Sequence, residues 1–294
     1  MSVERILFPT KFRELSFNSL EQLFPLKDAG LKEIILCHVI SRENVGFVPY
    51  GGYLKEEEDR LREEAMIRFE DWQKSIDKMG ISSRAVIRVG EVIPQILHAA
   101  DEENADLIVV GKKKKTIDHP FAGSHTLEIV TRSKIPSLVS KYMVSYEIDG
   151  EHHEKLNNRI FERPMLVTDW SEPSRRAMDF LKSIREVVEE ALIFHDIDVE
   201  KVYRKQTGDL SQIKKVSMEK LDTFCEDLCR EGTACQTHLG AGKILDEILR
   251  ISRDRQASMI ILGTSGKGWL SEFIHGSVSH EVVKLSELPS LLVP

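Results

Sequence analysis

Residues 263–277 read GTSGKGWLSEFIHGS and follow the apolar run 259–262, MIIL. A damaged copy of the same arrangement stands in the first half of the chain, where residues 111–124, GKKKKTIDHPFAGS, follow the apolar run 107–110, LIVV. Lys114 and Thr116 replace the second and third glycines of the later copy, Gly266 and Gly268. A short strand, a glycine-bearing loop and a helix, written twice, indicate a duplicated α/β chain with two unequal loops.

Working outward from the loops, the rest of the chain repeats in the same order. ILFPTKF at 6–12 matches MLVTDW at 165–170, and IILCHV at 34–39 matches ALIFHD at 191–196, with His38 and His195 at equivalent places. VIRVG at 86–90 answers to THLG at 237–240, each followed by an amphipathic stretch, 92–100 and 244–251. Residues 127–133 parallel 280–286, and the halves close on IPSLVS at 135–140 and LPSLLV at 288–293. Short strands that are apolar on both faces and alternate with helices argue for a parallel sheet covered on both sides. Right-handed crossovers then give two tandem doubly wound (Rossmann-like, flavodoxin-like) α/β domains, each a five-stranded parallel sheet with helices on both faces. The divisions fall at 1–145 and 162–294, with the polar stretch 146–161, containing EIDGEHHEKLNN, as linker.

Composition narrows the partners. The 294 residues carry 41 Lys and Arg against 48 Asp and Glu, a net charge of −7, mixed along the chain, so no electrostatic footprint for nucleic acid is present. No apolar run reaches the roughly 18 to 20 residues of a membrane helix, and MSVERILFPT does not read as a secretion leader, so no membrane partner and a cytoplasmic location are expected. The four cysteines, Cys37, Cys225, Cys229 and Cys235, are expected as reduced thiols acting as small buried hydrophobes. Cys225 and Cys229 share a helix face, but no CxxC pair or histidine cluster completes a metal site. His38 and His195 end buried strands and are expected as satisfied core histidines.

In a doubly wound sheet, ligands sit at the carboxyl ends of the strands where the winding reverses, after the first and fourth strands. Those places are Asp169 and the 263 loop in the second half, Lys11 and the 111 loop in the first. Gly263 and Gly266 lack a Cβ, which lets backbone amides approach a phosphate, and Gly276 and Ser277 open the helix that starts at Val278, whose free amides favour an anion. By spacing alone, an ordinary turn and a phosphate cradle stand as equal alternatives. The loop is neither a P-loop nor a GxGxxG fingerprint.

Glycine, two residues, glycine, nine residues, glycine, then serine or threonine resembles the ATP-binding motif of the universal stress proteins, and Gly263, Gly266, Gly276 and Ser277 satisfy it. TDWSEPS, from Thr168 to Ser174, resembles that family's first-strand ending, and the likeness covers nearly all of both halves. The resemblance implies a tandem universal stress protein whose cofactor is ATP, with or without Mg2+. It implies that Thr168 and Asp169 border the adenine, that Asp169 bonds it, that Asp196 offers its backbone, and that phosphates fall on Gly263, Gly266, Gly276, Ser277 and Val278. Asp196 departs from the family's usual valine. In the first half Lys11 replaces the aspartate, and an ammonium donates but cannot accept from an adenine amino group.

The leading functional expectation is a regulatory stress-response protein with ATP held in the second half only, and with a homodimer compatible. The alternatives are a slow ATPase or phosphoryl transferase, and an interaction module without nucleotide. Glu272, Asp169, Asp196 and His275 lie near the loop but form no recognisable constellation, so no residue is assigned as catalytic.

Overall fold

The apolar runs become strands because a parallel sheet covered on both sides gives every side chain along them a hydrophobic neighbour. The computed structural model describes residues 2–13, 15–46, 54–111, 124–148, 151–199, 209–264 and 278–294. Among these, the chain divides into two compact units, 2–111 with 124–142, and 143–294.

The first unit runs β1 (Arg5–Pro9), α1 (Ser16–Glu21), β2 (Glu33–Ser41), α2 (Arg42–Val45), α3 (Lys55–Lys78), β3 (Ser82–Gly90), α4 (Val92–Glu102), β4 (Leu107–Gly111), α5 (Ser124–Arg132) and β5 (Ser137–Ser140). Its strands lie in the order β5-β4-β1-β2-β3, all parallel. The second unit begins with β6 (Met143–Ile148) and β7 (Glu151–Leu156). It continues β8 (Pro164–Val167), α6 (Glu172–Ser183), β9 (Glu190–Asp196), α7 (Leu210–Arg230), β10 (Ala234–Gly240), α8 (Ile244–Asp254), β11 (Met259–Gly263), α9 (Val278–Leu285) and β12 (Ser290–Val293). Its parallel strands lie in the order β12-β11-β8-β9-β10. In both units the chain lays three strands outward in one direction and returns with the fourth on the other side of the first. The winding therefore reverses between strands one and four, as the repeated pattern requires.

The central strands carry the core. Leu166 pairs in register with Ile193 on one side and Ile261 on the other, and all three are fully buried. Each such side chain contributes about 1.5–3 kcal/mol by leaving water. The outer strands β3 and β10 are only half covered and carry Arg84, Arg88, Gln236 and His238. The helices follow the same logic: α8 buries Ile248 and Ile251 and turns Glu247, Arg250 and Asp254 outward as ion pairs. No helix of the described residues is long and apolar enough to cross a membrane.

Two expectations meet the structure differently. Residues 146–161, expected as a linker, hold much of an antiparallel hairpin in which Met143 pairs Leu156 and Ile148 pairs Glu151, grouped with the second unit. A ladder is built by the backbone, so a polar composition does not preclude it. For two of the four expected reduced thiols the structure is a correction. Cys225 of α7 and Cys235 of β10 form a disulfide, with Cα atoms 5.5 Å apart, while Cys37 is free and buried and Cys229 is free and exposed. The turn after α7 folds the helix back along β10 and so brings together two cysteines that share no local pattern.

Candidate functional site

The site grows from the ends of β8, β9 and β11. Thr168, just past β8, is buried and donates its amide to the Phe194 carbonyl of β9 at 2.9 Å. Its own carbonyl accepts from His195 Nδ1 at 2.7 Å, which fixes the tautomer because a carbonyl only accepts. Burial lowers the pKa of His195 despite that bond, so the ring is a neutral structural histidine. The Thr168 hydroxyl accepts from the Trp170 amide at 3.1 Å, and Trp170 takes a left-handed backbone, φ 67°. This turn leaves Asp169 exposed at the strand end.

Asp169 is held by the start of α6. Its Oδ1 accepts from the Ser171 amide at 3.0 Å and from the Ser174 hydroxyl at 2.6 Å. Partial burial alone would raise the Asp169 pKa, but these donors outweigh it and hold the carboxyl below its ordinary value. Ser171 caps α6 by accepting from the Ser174 amide. Gly263 then closes the block. A Cβ there would stand 2.3 Å from the Pro173 carbonyl carbon and 2.5 Å from the Ser174 nitrogen, so only glycine lets the end of β11 touch the first turn of α6. In the sequence Ser174 stands only as the last residue of TDWSEPS, with no role assigned to it.

Asp196, at the end of β9, is turned toward β10. Its Oδ1 is buried without a hydrogen-bond partner among the described residues and lies beside Gly240, where a Cβ would meet it at 2.6 Å. Burial raises the Asp196 pKa to about 6, the Gly242 amide opposes, and the Glu247 and Asp198 carboxylates raise it further. Val278 begins α9 and packs half-buried against the core that includes Phe194, Leu262 and Val282. Gly266, Gly276, Ser277, Glu272 and His275 lie outside the described residues. The structure thus brings Thr168, Asp169 and Gly263 into one block around α6, with Asp196 at the neighbouring strand end.

The first unit copies the backbone and not the chemistry. Thr10 donates to Cys37, its carbonyl meets His38 Nδ1 at 2.8 Å, and its hydroxyl accepts from Phe12, which is left-handed at φ 53°. Lys11 stands where Asp169 does and brings no acceptor. Around Gly111 an added Cβ would meet nothing within 4 Å among the described residues, unlike Gly263. In both units an aromatic fills the space behind the strand end. Phe12 packs on His38, Phe69 and Trp72, and Trp170 packs on His195 and Phe224, with Lys220 over its ring at 5.5 Å.

Comparison with known proteins agrees with the duplicated geometry. The profile described as Universal stress protein family matches residues 2–141 and 161–294. A universal stress protein of Methanocaldococcus jannaschii is 28% identical over 153 residues, 47% of this chain and 94% of that protein. One of Bacillus subtilis is 32% identical over 83 residues, 28% of this chain and 56% of that protein. The crystal structure of a universal stress protein from Archaeoglobus fulgidus superposes with a TM-score of 0.74 at 23% identity, covering 99% of this chain and 96% of that one, which is a likeness of fold.

Proposed function

The chain belongs to the universal stress protein family, and from that premise we propose that its second unit holds one ATP at the carboxyl ends of β8, β9 and β11, as a bound regulatory ligand. The observation that carries this is Asp169. An exposed carboxylate is fixed as an anion by Ser171 and Ser174 at the point where the winding reverses, beside a glycine that must be glycine. A donor-bearing ring edge such as the adenine amino group is what a pre-oriented acceptor of this kind suits.

In this arrangement Asp169 accepts from the adenine amino group beside Thr168, and the Asp196 backbone lines the neighbouring strand end. Gly263, Gly266, Gly276 and Ser277 receive the phosphates, together with Val278 at the first turn of α9, where helix amides have no internal partner. Mg2+ would arrive with the triphosphate, held by the phosphate oxygens. The bound nucleotide supplies a charged group that ties β11 to α9, and the protein's part is to orient and retain it. The first unit, with Lys11 in place of the carboxylate, serves as structure.

Calorimetric titration of the full chain with ATP tests the proposal. One equivalent per chain is expected in wild type and in Lys11→Asp, and none in Asp169→Lys. A wild-type protein that takes up no ATP at millimolar concentration, with no shift in Tm, would sink it.

A further inference from the structure

Each unit fastens its long helix to its outer strand at the same two positions. In the first unit Gln73, the residue after Trp72 on α3, donates from Nε2 to the carbonyl of Ser83, the second residue of β3, at 3.3 Å. In the second unit Cys225, the residue after Phe224 on α7, is bonded to Cys235, the second residue of β10. The preceding aromatics match as well, since Trp72 packs on Phe12 at 5.5 Å and Phe224 on Trp170 at 5.3 Å. The duplicated fold therefore places a helix-to-strand bridge beside the aromatic that packs on the residue after Lys11 or Asp169. Only the second copy is built from cysteines.

We propose that Cys225 and Cys235 are a reversible thiol–disulfide modification site whose oxidation pins α7 to β10 and, through Phe224 and Lys220, seats Trp170 next to Asp169. The inference stands apart from the nucleotide proposal, because it concerns the seating of α7. The Cα separation of 5.5 Å suits bond formation without moving the backbone. Both cysteines are half-buried and open to a small thiol. The remaining thiols serve otherwise: Cys37 is buried in β2, and Cys229, one turn further along α7, points to solvent.

The exchange partner is a dithiol reductant. One of its thiolates attacks a cystine sulfur, the Cys225–Cys235 bond breaks, and a mixed disulfide forms with the other cysteine released as a thiol. The second thiolate of the reductant then displaces the remaining cysteine. The protein gains two thiols, two electrons and two protons, and the reductant leaves as its own disulfide. A small disulfide oxidant runs the sequence in reverse. In the reduced state α7 loses its covalent tie to β10.

Full-length protein equilibrated with oxidised glutathione or with dithiothreitol tests this by peptide mass mapping, hydrogen exchange and thermal unfolding. A peptide linked through Cys225 and Cys235 is expected in the oxidised sample only. Reduction is expected to lower Tm by roughly 5 °C or more and to speed amide exchange in α7 while α3 is unmoved. Cys225→Gln with Cys235→Ser transplants the bridge of the first unit and is expected to fold and to lose the redox response, whereas Cys229→Ser keeps it. Absence of the linked peptide, no effect of reduction on α7 or Tm in wild type, or a response persisting in the double variant would each overturn the proposal.

Discussion

Ser174 joins Asp169 to Gly263: its hydroxyl donates to Asp169 Oδ1 at 2.6 Å, and its backbone nitrogen lies 2.5 Å from where a Cβ on Gly263 would stand. The ends of β8 and β11 and the first turn of α6 are thereby one packed block. A ligand meeting Asp169 meets a group already oriented, so little side-chain entropy remains to be lost on binding.

Gly263→Ala forces the α6 backbone away, because Pro173 and Ser174 present main chain to the added methyl and cannot swing aside. A loss of about 1–3 kcal/mol is expected from such overpacking, together with weaker ATP uptake. Gly111→Ala, at the same position of the first unit and with no described residue within 4 Å of the added methyl, should leave the urea midpoint unchanged. Equal effects of the two substitutions would contradict the asymmetry.

Ser174→Ala removes the shortest donor to Asp169. The folded pKa of Asp169 is depressed, so its contribution to stability is present above the unfolded value, 3.8, and is lost as pH falls through the folded value. In the variant the folded pKa rises. Wild type should exceed it by about 1 kcal/mol at neutral pH, a figure discounted for the exposure of Asp169, with the gap narrowing in acid. Denaturant melts across pH check this.

Asp196 works with the opposite sign. Burial lifts its folded pKa from 3.8 to about 6, so between these values the folded state keeps a proton that the unfolded state has released. Stability from this group falls as pH rises through that window, and the cost is complete above it. Asp196→Asn is therefore expected to be more stable than wild type by about 1 kcal/mol at pH ~7, after discounting for partial exposure, and equal to it near pH ~4. A variant less stable than wild type at neutral pH would show that the buried carboxylate is compensated.

Trp170 pays a backbone penalty of about 1–3 kcal/mol for its left-handed φ of 67°. His195 and Phe224 hold its ring at 4.7 and 5.3 Å, with Lys220 above it. Trp170→Gly relieves the backbone and loses the ring, and a net destabilisation of roughly 2 kcal/mol is expected, read as a lower urea midpoint. A gain in stability would mean that the ring packing contributes less than the strain.

Much of this was legible beforehand. The runs at 34–39, 107–110, 191–196 and 259–262 stand out as strands because both faces are apolar, and their order of recurrence gives the doubly wound topology. Asp169 and Gly263 were found by their place after strands one and four. Ser174 has no such mark, because its importance lies in a contact with Gly263, 89 positions further along the chain. The hairpin's second strand, Glu151–Leu156, reads EHHEKL and carries no hydrophobic signature, since its pairing with Met143–Ile148 is made by the backbone.

By itself the sequence determined the alternation of strand and helix, the duplication and the inequality of the two strand ends, because these follow from local periodicity and residue type. Tertiary structure alone decided that Gly263 lies against α6, that Asp196 buries an oxygen beside Gly240, and that Cys225 meets Cys235 where the first unit has Gln73 and Ser83. Those contacts are fixed by how packed elements are placed in space, and no local pattern in the chain encodes the distance between two residues that only folding brings together.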